Sequence, residues 1–162
     1  MRTFVIALAL VALASIAQAA EWDTMRPGVT TQEAVRAHLG QPAKVTSAKV
    51  EGYDTAEWVY EGGTAPRGLV RMVVAFGLLT PQGYRADVIR MIRLEPGRGV
   101  FPKSTVLAGW GPPQGVGKEK DHDVFFYESG LLVYFDKEGA VAETMIFTPP
   151  QRQGESGASP RK

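Results

Sequence analysis

A short helix with strong boundary signals, in residues 28–42, is the feature that most constrains the fold. Thr30 and Glu33 have the spacing of a capping box, in which each side chain accepts a hydrogen bond from a backbone N–H at the helix start. Gly40 has the position of a left-handed C-cap residue, and Pro42 prevents the helix from continuing. Because so short a helix is not stable alone in water, it must pack against another element.

The end of this helix recurs further along the chain. The matching positions, each 71 residues apart, are Val35 and Val106, Leu39 and Trp110, Gly40 and Gly111, and Pro42 and Pro113. Downstream of each helix, Trp58 and Tyr60 correspond to Phe125 and Tyr127. The second helix lacks a capping box. A period of about 70 residues exceeds the usual solenoid repeat, so the recurrence predicts two tandem copies of an α+β unit.

Segments rich in Val, Ile and aromatic residues, bounded by Gly and Pro, predict strands after each helix. They are residues 56–62, 68–78 and 84–96, followed by a hairpin at 131–149. Apolar and polar residues alternate imperfectly in the third segment, residues 84–96. This pattern indicates a sheet that is packed on one face and partly covered on the other. The predicted fold class is therefore α+β, with two tandem units.

The first 19 residues have the pattern of a secretory signal peptide. Arg2 is the positive start, residues 4–14 are the apolar core, and Ala17 and Ala19 are the small residues of a cleavage site. The apolar run is shorter than the ~20 residues that span a bilayer. We therefore expect export to the periplasm or the exterior, with no direct membrane anchor.

Residues 150–162 contain no large apolar side chain, which is typical of a disordered tail. The predicted division of the chain is a signal peptide (1–19), a first α+β repeat (20–96), a second (97–149) and a disordered tail (150–162).

Composition excludes several functions. The chain has 18 basic and 17 acidic residues, and cleavage after Ala19 would remove Arg2 and leave the two equal. A neutral chain has no electrostatic footprint for nucleic acid or for an anionic membrane. There is no cysteine, so disulfides, a thiol nucleophile and a cysteine-ligated metal are excluded.

Tests for catalytic and metal-binding motifs are negative. Asp121, His122 and Asp123 are adjacent on a predicted hairpin, where neighbouring side chains point to opposite faces, so they do not converge on a metal ion. His38 has no ligand-type residue four positions away. The glycines of residues 111–120 lack the spacing and the hydroxyl of a phosphate-binding loop. We expect no catalytic site, no metal and no cofactor.

A set of short motifs resembles the SmpA/OmlA (BamE-like) domain family. The residues that carry the resemblance are Gly28, Thr30, Gly40, Pro42, Trp58 and Tyr60, with Gly111, Pro113 and Tyr127 as counterparts in the second half. The resemblance implies the fold of the β-lactamase inhibitor protein, which is itself a tandem repeat. Each unit would then have short helices packed on an antiparallel sheet of three or four strands. The resemblance also implies a binding module in outer-membrane-protein assembly or enzyme inhibition. The chain departs from the outer-membrane-assembly members of this family in two ways. It lacks the cysteine through which they are usually lipid-anchored, and it has two copies of the unit where they usually have one.

Four residues are candidates for partner binding: Trp22, Tyr53, Tyr84 and Arg71. They favour an exported, non-catalytic module that binds another envelope protein, linked to outer-membrane protein assembly or envelope maintenance. Two alternatives remain. One is a secreted enzyme-inhibitor-type module. The other is a periplasmic sensor of a small molecule or cell-wall fragment, with a pocket between the copies lined by Trp58, Phe125 and Trp110.

Overall fold

Two short helices and eight strands follow one another along residues 20–150, the part of the chain that the computed structural model describes. The elements are α1 (Gln32–Leu39), β1 (Lys44–Val50), β2 (Tyr53–Glu61), β3 (Leu69–Thr80), β4 (Gly83–Pro96), α2 (Lys103–Trp110), β5 (Gly115–Glu119), β6 (His122–Tyr127), β7 (Leu131–Phe135) and β8 (Ala142–Phe147). The predicted signal peptide, and the predicted tail beyond residue 150, lie outside the described residues.

The eight strands form one antiparallel sheet in the order β1-β2-β3-β4-β8-β7-β6-β5. At its centre β4 pairs with β8, where Ile92 lies opposite Phe147 and Leu94 lies opposite Met145. The predicted fold class of two tandem α+β units is therefore wrong. Pairing of β4 with β8 merges the strands into a single sheet, and only two short helices accompany it. Local sequence patterns predict strands, but they do not specify which strands pair.

Both helices end as predicted, but α1 begins differently. Its N-cap is Thr31, whose hydroxyl accepts a hydrogen bond from the Ala34 N–H at 3.4 Å. The predicted capping box is wrong, because the Thr30 hydroxyl accepts instead from the Arg26 N–H at 2.9 Å. At the other end Gly40 has a φ of 78°, and Gly111 after α2 has a φ of 76°. The predicted positive φ is confirmed at both, although their ψ angles are extended rather than helical.

A single core lies on one face of the sheet and includes side chains from both helices. Its helical members are Val35 and Val106. Its strand members are Trp58, Tyr60, Met72, Val74, Phe76, Ile89, Ile92, Leu94, Phe125, Tyr127, Leu131, Val133, Phe135, Ala142, Met145 and Phe147. The opposite surface, called the open face below, has no helix over it in residues 20–150.

A β-bulge in β4 explains the imperfect alternation of its sequence. Ala75 of β3 lies opposite Met91, whereas the next residue, Phe76, lies opposite Ile89. Arg90 is therefore the extra residue, which reverses the alternation. As a result Ile89 and Ile92 both reach the core, although they are three positions apart.

Candidate functional site

Exposed apolar and aromatic side chains gather at one corner of the open face, where the hairpins β1–β2 and β3–β4 turn. Val50 pairs with Tyr53, and Leu79 pairs with Tyr84. The rings of Tyr53 and Tyr84 join the two pairs, with their centroids 4.4 Å apart. Val50, Tyr53 and Leu79 are 52%, 40% and 62% exposed, and Tyr84 is half-buried. We call these four residues the aromatic corner.

Glycine geometry builds the aromatic corner. The β1–β2 turn consists of Glu51 and Gly52, both with positive φ, which suits a tight hairpin with the right-handed twist. Gly77, at the register shift between Phe76 and Leu78 of β3, has a φ of 98°. A side chain at Gly77 would overlap the hydroxyl of Tyr84. The absence of one lets the hydroxyl end of Tyr84 lie over Gly77, where the hydroxyl donates a hydrogen bond to the Asp54 carbonyl.

Arg71, a predicted partner-binding residue, lies in a network of ion pairs on the open face. Its guanidinium is 3.5 Å from the Glu61 carboxylate and 3.7 Å from that of Glu95, and Arg93 also reaches Glu95 at 3.4 Å. The charges of Arg71 and Arg93 are thus largely neutralised within the sheet. Arg71 lies opposite Glu61, the last residue of β2. It is therefore about 27 Å along the strand from Tyr53, at ~3.4 Å per residue.

Trp22 lies outside the aromatic corner and packs against the core. It is half-buried, and its backbone pairs with Met25. Of the four predicted partner-binding residues, the structure brings together Tyr53 and Tyr84 only.

The residues that carry the motif resemblance lie in helix ends, turns and the core. Trp58, Tyr60 and Tyr127 are buried. Gly28 donates its N–H to the Ile89 carbonyl at 2.8 Å. The prolines Pro42 and Pro113 follow the two helices and are half-buried. These residues position elements, and none of them lies in the aromatic corner.

A groove runs between α1 and the β1–β2 hairpin on the helical side of the sheet. It has a volume of ≈ 630 Å³, and its lining includes Arg36, Val45, Ser47, Lys49, Asp54 and Trp58. The Arg36 guanidinium lies 4.9 Å from the centre of the Trp58 ring, a cation–π contact. Sequence reasoning missed this groove, because it did not predict β1.

The pocket expected from Trp58, Phe125 and Trp110 does not form. Trp58 is on β2 and Phe125 on β6, with β3, β4, β8 and β7 between them. Five strand spacings of ~4.8 Å place the two strands about 24 Å apart. Trp110 is half-buried and packs against the core, with its ring next to those of Phe101 and Phe147.

The polar residues considered for metal binding are engaged in other contacts. Nδ1 of His122 is 2.7 Å from the Phe135 carbonyl oxygen and 3.5 Å from a Glu143 carboxylate oxygen. Asp123 pairs with Lys103 and Lys118 at 3.7 and 3.6 Å. Within residues 20–150 no group of three or more His, Asp and Glu side chains could hold a metal ion, and no helix is long and apolar enough to cross a membrane.

Three tyrosines have altered acidity. Burial raises the pKa of Tyr60, an effect partly offset by the positive charge of Arg36. Burial likewise raises the pKa of Tyr127. The pKa of Tyr134 is raised first by burial and then by its hydrogen bond to the Glu119 carboxylate and by that group's negative charge. All three shifts favour the neutral phenol, so these hydroxyls act as hydrogen-bond donors.

Comparison with known proteins finds a distant structural similarity. No family model matches the chain, and no curated protein matches it. The chain is similar to the solved structure of a DUF4309 family protein, YjgB from Bacillus subtilis. The two are 14% identical, with a TM-score of 0.47, over 78% of this chain and 82% of that chain. A similarity of this size says nothing about function.

Proposed function

We propose that this protein is an exported, non-catalytic binding module of the bacterial cell envelope, and that it binds another envelope protein through the aromatic corner. Export is inferred from the signal-peptide pattern of residues 1–19. The resemblance to the SmpA/OmlA (BamE-like) family is consistent with such a role, in outer-membrane protein assembly or envelope maintenance.

The observation that carries the proposal is the arrangement of Tyr53, Tyr84, Val50 and Leu79 on one surface. Tyrosine supplies a large apolar area with a polar tip and is enriched among the residues that dominate binding energy. The two rings in contact are already ordered by the space at Gly77 and by the hydrogen bond to Asp54, so binding costs little side-chain entropy.

Other described parts of the open face are less suited to a partner. Val59 and Val73 are nearly buried, and the ion pairs of Arg71 and Arg93 lie beside Val73. Solvated ion pairs contribute little to affinity, and they would have to lose water on binding. The aromatic corner instead offers contiguous apolar surface without such a cost.

Photo-crosslinking in envelope preparations tests the proposal. A photoreactive amino acid at Leu79, which is exposed, should form one dominant crosslinked product. The double variant Tyr53→Ala with Val50→Ala, carrying the same crosslinker, should lose most of that product. Phe126→Ala is the matched control, because Phe126 is similarly exposed (39%) and lies on β6, far across the sheet.

Two results would contradict the proposal. One is a crosslinked product that persists at the same level when Tyr53 and Val50 are replaced. The other is an equal loss in the Phe126 control, which would indicate non-specific adhesion of apolar residues rather than a defined site.

A further inference from the structure

We propose that β1 is a docking edge, to which an extended acidic segment of the partner protein adds as a further strand. This inference rests on the proposed function, since it states how the partner of the aromatic corner would bind. Its evidence comes from different residues, namely the backbone of β1 and the cations beside it.

The outer side of β1 presents regularly spaced backbone groups. Val50 and Tyr53 flank a two-residue turn, so they form a hydrogen-bonded pair in the hairpin. Such pairs alternate along an antiparallel ladder. The N–H and C=O groups of Val45, Ser47 and Lys49 therefore point away from β2. Because β1 is at the end of the sheet, these groups are available to an added strand.

β1 lacks most of the features that normally prevent edge pairing. All of its seven residues are exposed, it contains no proline, and its register with β2 is unbroken. Val45, Thr46 and Val50 are β-branched and favour extended backbone. The opposite edge, β5, has only five residues and contains Gly115 and Gly117, which weaken a strand. An added strand would therefore pair better with β1 than with β5.

The charges beside β1 specify an acidic partner. Among residues 20–150, Arg36 and Lys44 take part in no ion pair, while Lys49 pairs with Asp54 at 2.8 Å. Glu33 and Asp87 line a neighbouring groove with Arg36 but lie beyond ion-pair distance. A guanidinium held by its stacking on Trp58 is suited to bind a carboxylate in a bidentate geometry.

The other end of the sheet provides an internal comparison. Lys103 lies 5.3 Å from the centre of the Phe125 ring, much as Arg36 lies over Trp58. However, Lys103 pairs with Asp123, and Lys118 on β5 pairs with the same carboxylate. Lys103 over the Phe125 ring and Lys118 on β5 are thus neutralised within the protein. The Arg36 charge has no such partner, so a carboxylate from outside is the complementary group.

Strand geometry defines where the acidic side chains would lie. Alternate residues of an added strand point to the same face of the sheet. Those opposite Val45 and Ser47 would point into the groove that contains Arg36. The intervening residues would lie on the open face beside Val50, next to the aromatic corner. A segment with acidic residues at alternate positions therefore fits this edge.

Binding of synthetic peptides to the purified protein tests the inference. The probe is a fluorescein-labelled peptide of seven residues, the length of β1, that alternates glutamate and threonine. A glutamine–threonine peptide is the charge control, and a glutamate–threonine peptide with N-methylated backbone amides is the pairing control. We expect the first peptide to bind at least about tenfold more tightly than either control, measured by fluorescence anisotropy.

Protein variants then locate the site. Ser47→Pro removes an outward N–H without removing a β1–β2 hydrogen bond, and it should weaken peptide binding about tenfold or more. Val116→Pro is the matched control on β5 and should have no effect. Arg36→Gln should abolish the preference for glutamate over glutamine. Circular dichroism and thermal melting confirm that each variant is folded.

Three outcomes would overturn the inference: equal affinity for the glutamate and glutamine peptides, unchanged binding by folded Ser47→Pro, or an equal loss in Val116→Pro. A dimer in analytical ultracentrifugation that Ser47→Pro converts to a monomer would also overturn it, since a second copy would then occupy the edge. Failure of the docking edge alone would leave the Leu79 crosslink intact. Loss of the Leu79 crosslink with intact peptide binding would instead contradict the proposed function.

Discussion

The hydroxyl of Tyr60 donates a hydrogen bond to the carbonyl oxygen of Gly40 at 3.2 Å, which ties the core of β2 to the end of α1. The same contact occurs in the other half of the sheet, where the Tyr127 hydroxyl donates to the Gly111 carbonyl at 3.1 Å. In both cases the accepting group follows the last turn of a helix, where carbonyl groups lack partners within the helix. One tyrosine hydroxyl thus provides a donor for one carbonyl group at each helix end.

Replacing either buried tyrosine by phenylalanine should cost stability through this hydrogen bond alone. We expect Tyr60→Phe and Tyr127→Phe each to lower the free energy of unfolding by about 1 kcal/mol, measured by urea denaturation. Tyr134→Phe is the control, because its hydroxyl contacts Glu119 at an exposed position and its loss should change little. An effect of Tyr134→Phe as large as the other two would contradict the assignment.

Stability should fall at high pH because of the buried tyrosines. The pKa of Tyr60 and of Tyr127 is raised in the folded protein, so above about pH 10 the unfolded chain releases a proton that the folded chain retains. The stabilisation is therefore complete below that pH and is lost as the pH rises through the folded pKa. The melting temperature should decline across this range. The melting temperature of Tyr60→Phe should decline less steeply with pH than that of the wild-type protein. An identical slope in the two proteins would contradict the role of Tyr60.

Backbone strain, without steric overlap, should limit substitution at Gly40 and Gly111. Both have positive φ, but no atom lies within 4 Å of where a Cβ would be. Gly40→Ala and Gly111→Ala should therefore each cost about 1–2 kcal/mol. Gly117→Ala has the same open surroundings without the positive φ and should be neutral or slightly stabilising. Urea denaturation of the three variants measures the difference. Equal stability of all three would contradict a role for positive φ.

Gly77→Ala should damage the aromatic corner as well as the fold. Here a positive φ of 98° combines with overlap between the new methyl group and the Tyr84 hydroxyl. The ring of Tyr84 would have to move away from Tyr53. We expect a larger loss of stability than for Gly40→Ala, together with loss of the Leu79 crosslinked product. Retention of the crosslink would show that the contact between the Tyr53 and Tyr84 rings is not required for binding.

Sequence reasoning predicted the segments that contact the core. The three segments between the helices correspond to β2, β3 and β4, because burial of Val, Ile and aromatic side chains makes such strands recognisable. Both helix ends were found through glycine and proline. The N-cap of α1 was misplaced by one residue, since Thr30 and Thr31 are adjacent and either hydroxyl can cap.

The edge strands and the pairing of the two halves could not be predicted in the same way. β1 has no buried residue, so its sequence shows no contrast between an inner and an outer face. β5 is short and contains two glycines. The joining of β4 and β8 depends on contacts between residues about 50 positions apart, which no local pattern contains. The groove at Arg36 was missed for the same reason, because β1 forms one of its walls.

The central pairing predicts that the two halves unfold together. Leu94 is fully buried and lies opposite Met145 across the β4–β8 ladder, so Leu94→Ala should cost about 2–5 kcal/mol by creating a cavity at the junction. In native-state hydrogen exchange, amides of β2–β3 and of β6–β7 should lose protection by the same amount, because both exchange through global unfolding. Leu79→Ala, at a 62% exposed position, should leave the protection of amides in β2–β3 and in β6–β7 unchanged. If Leu94→Ala lowered protection in β2–β3 alone, the sheet would consist of two independently folding parts, contrary to the continuous ladder observed.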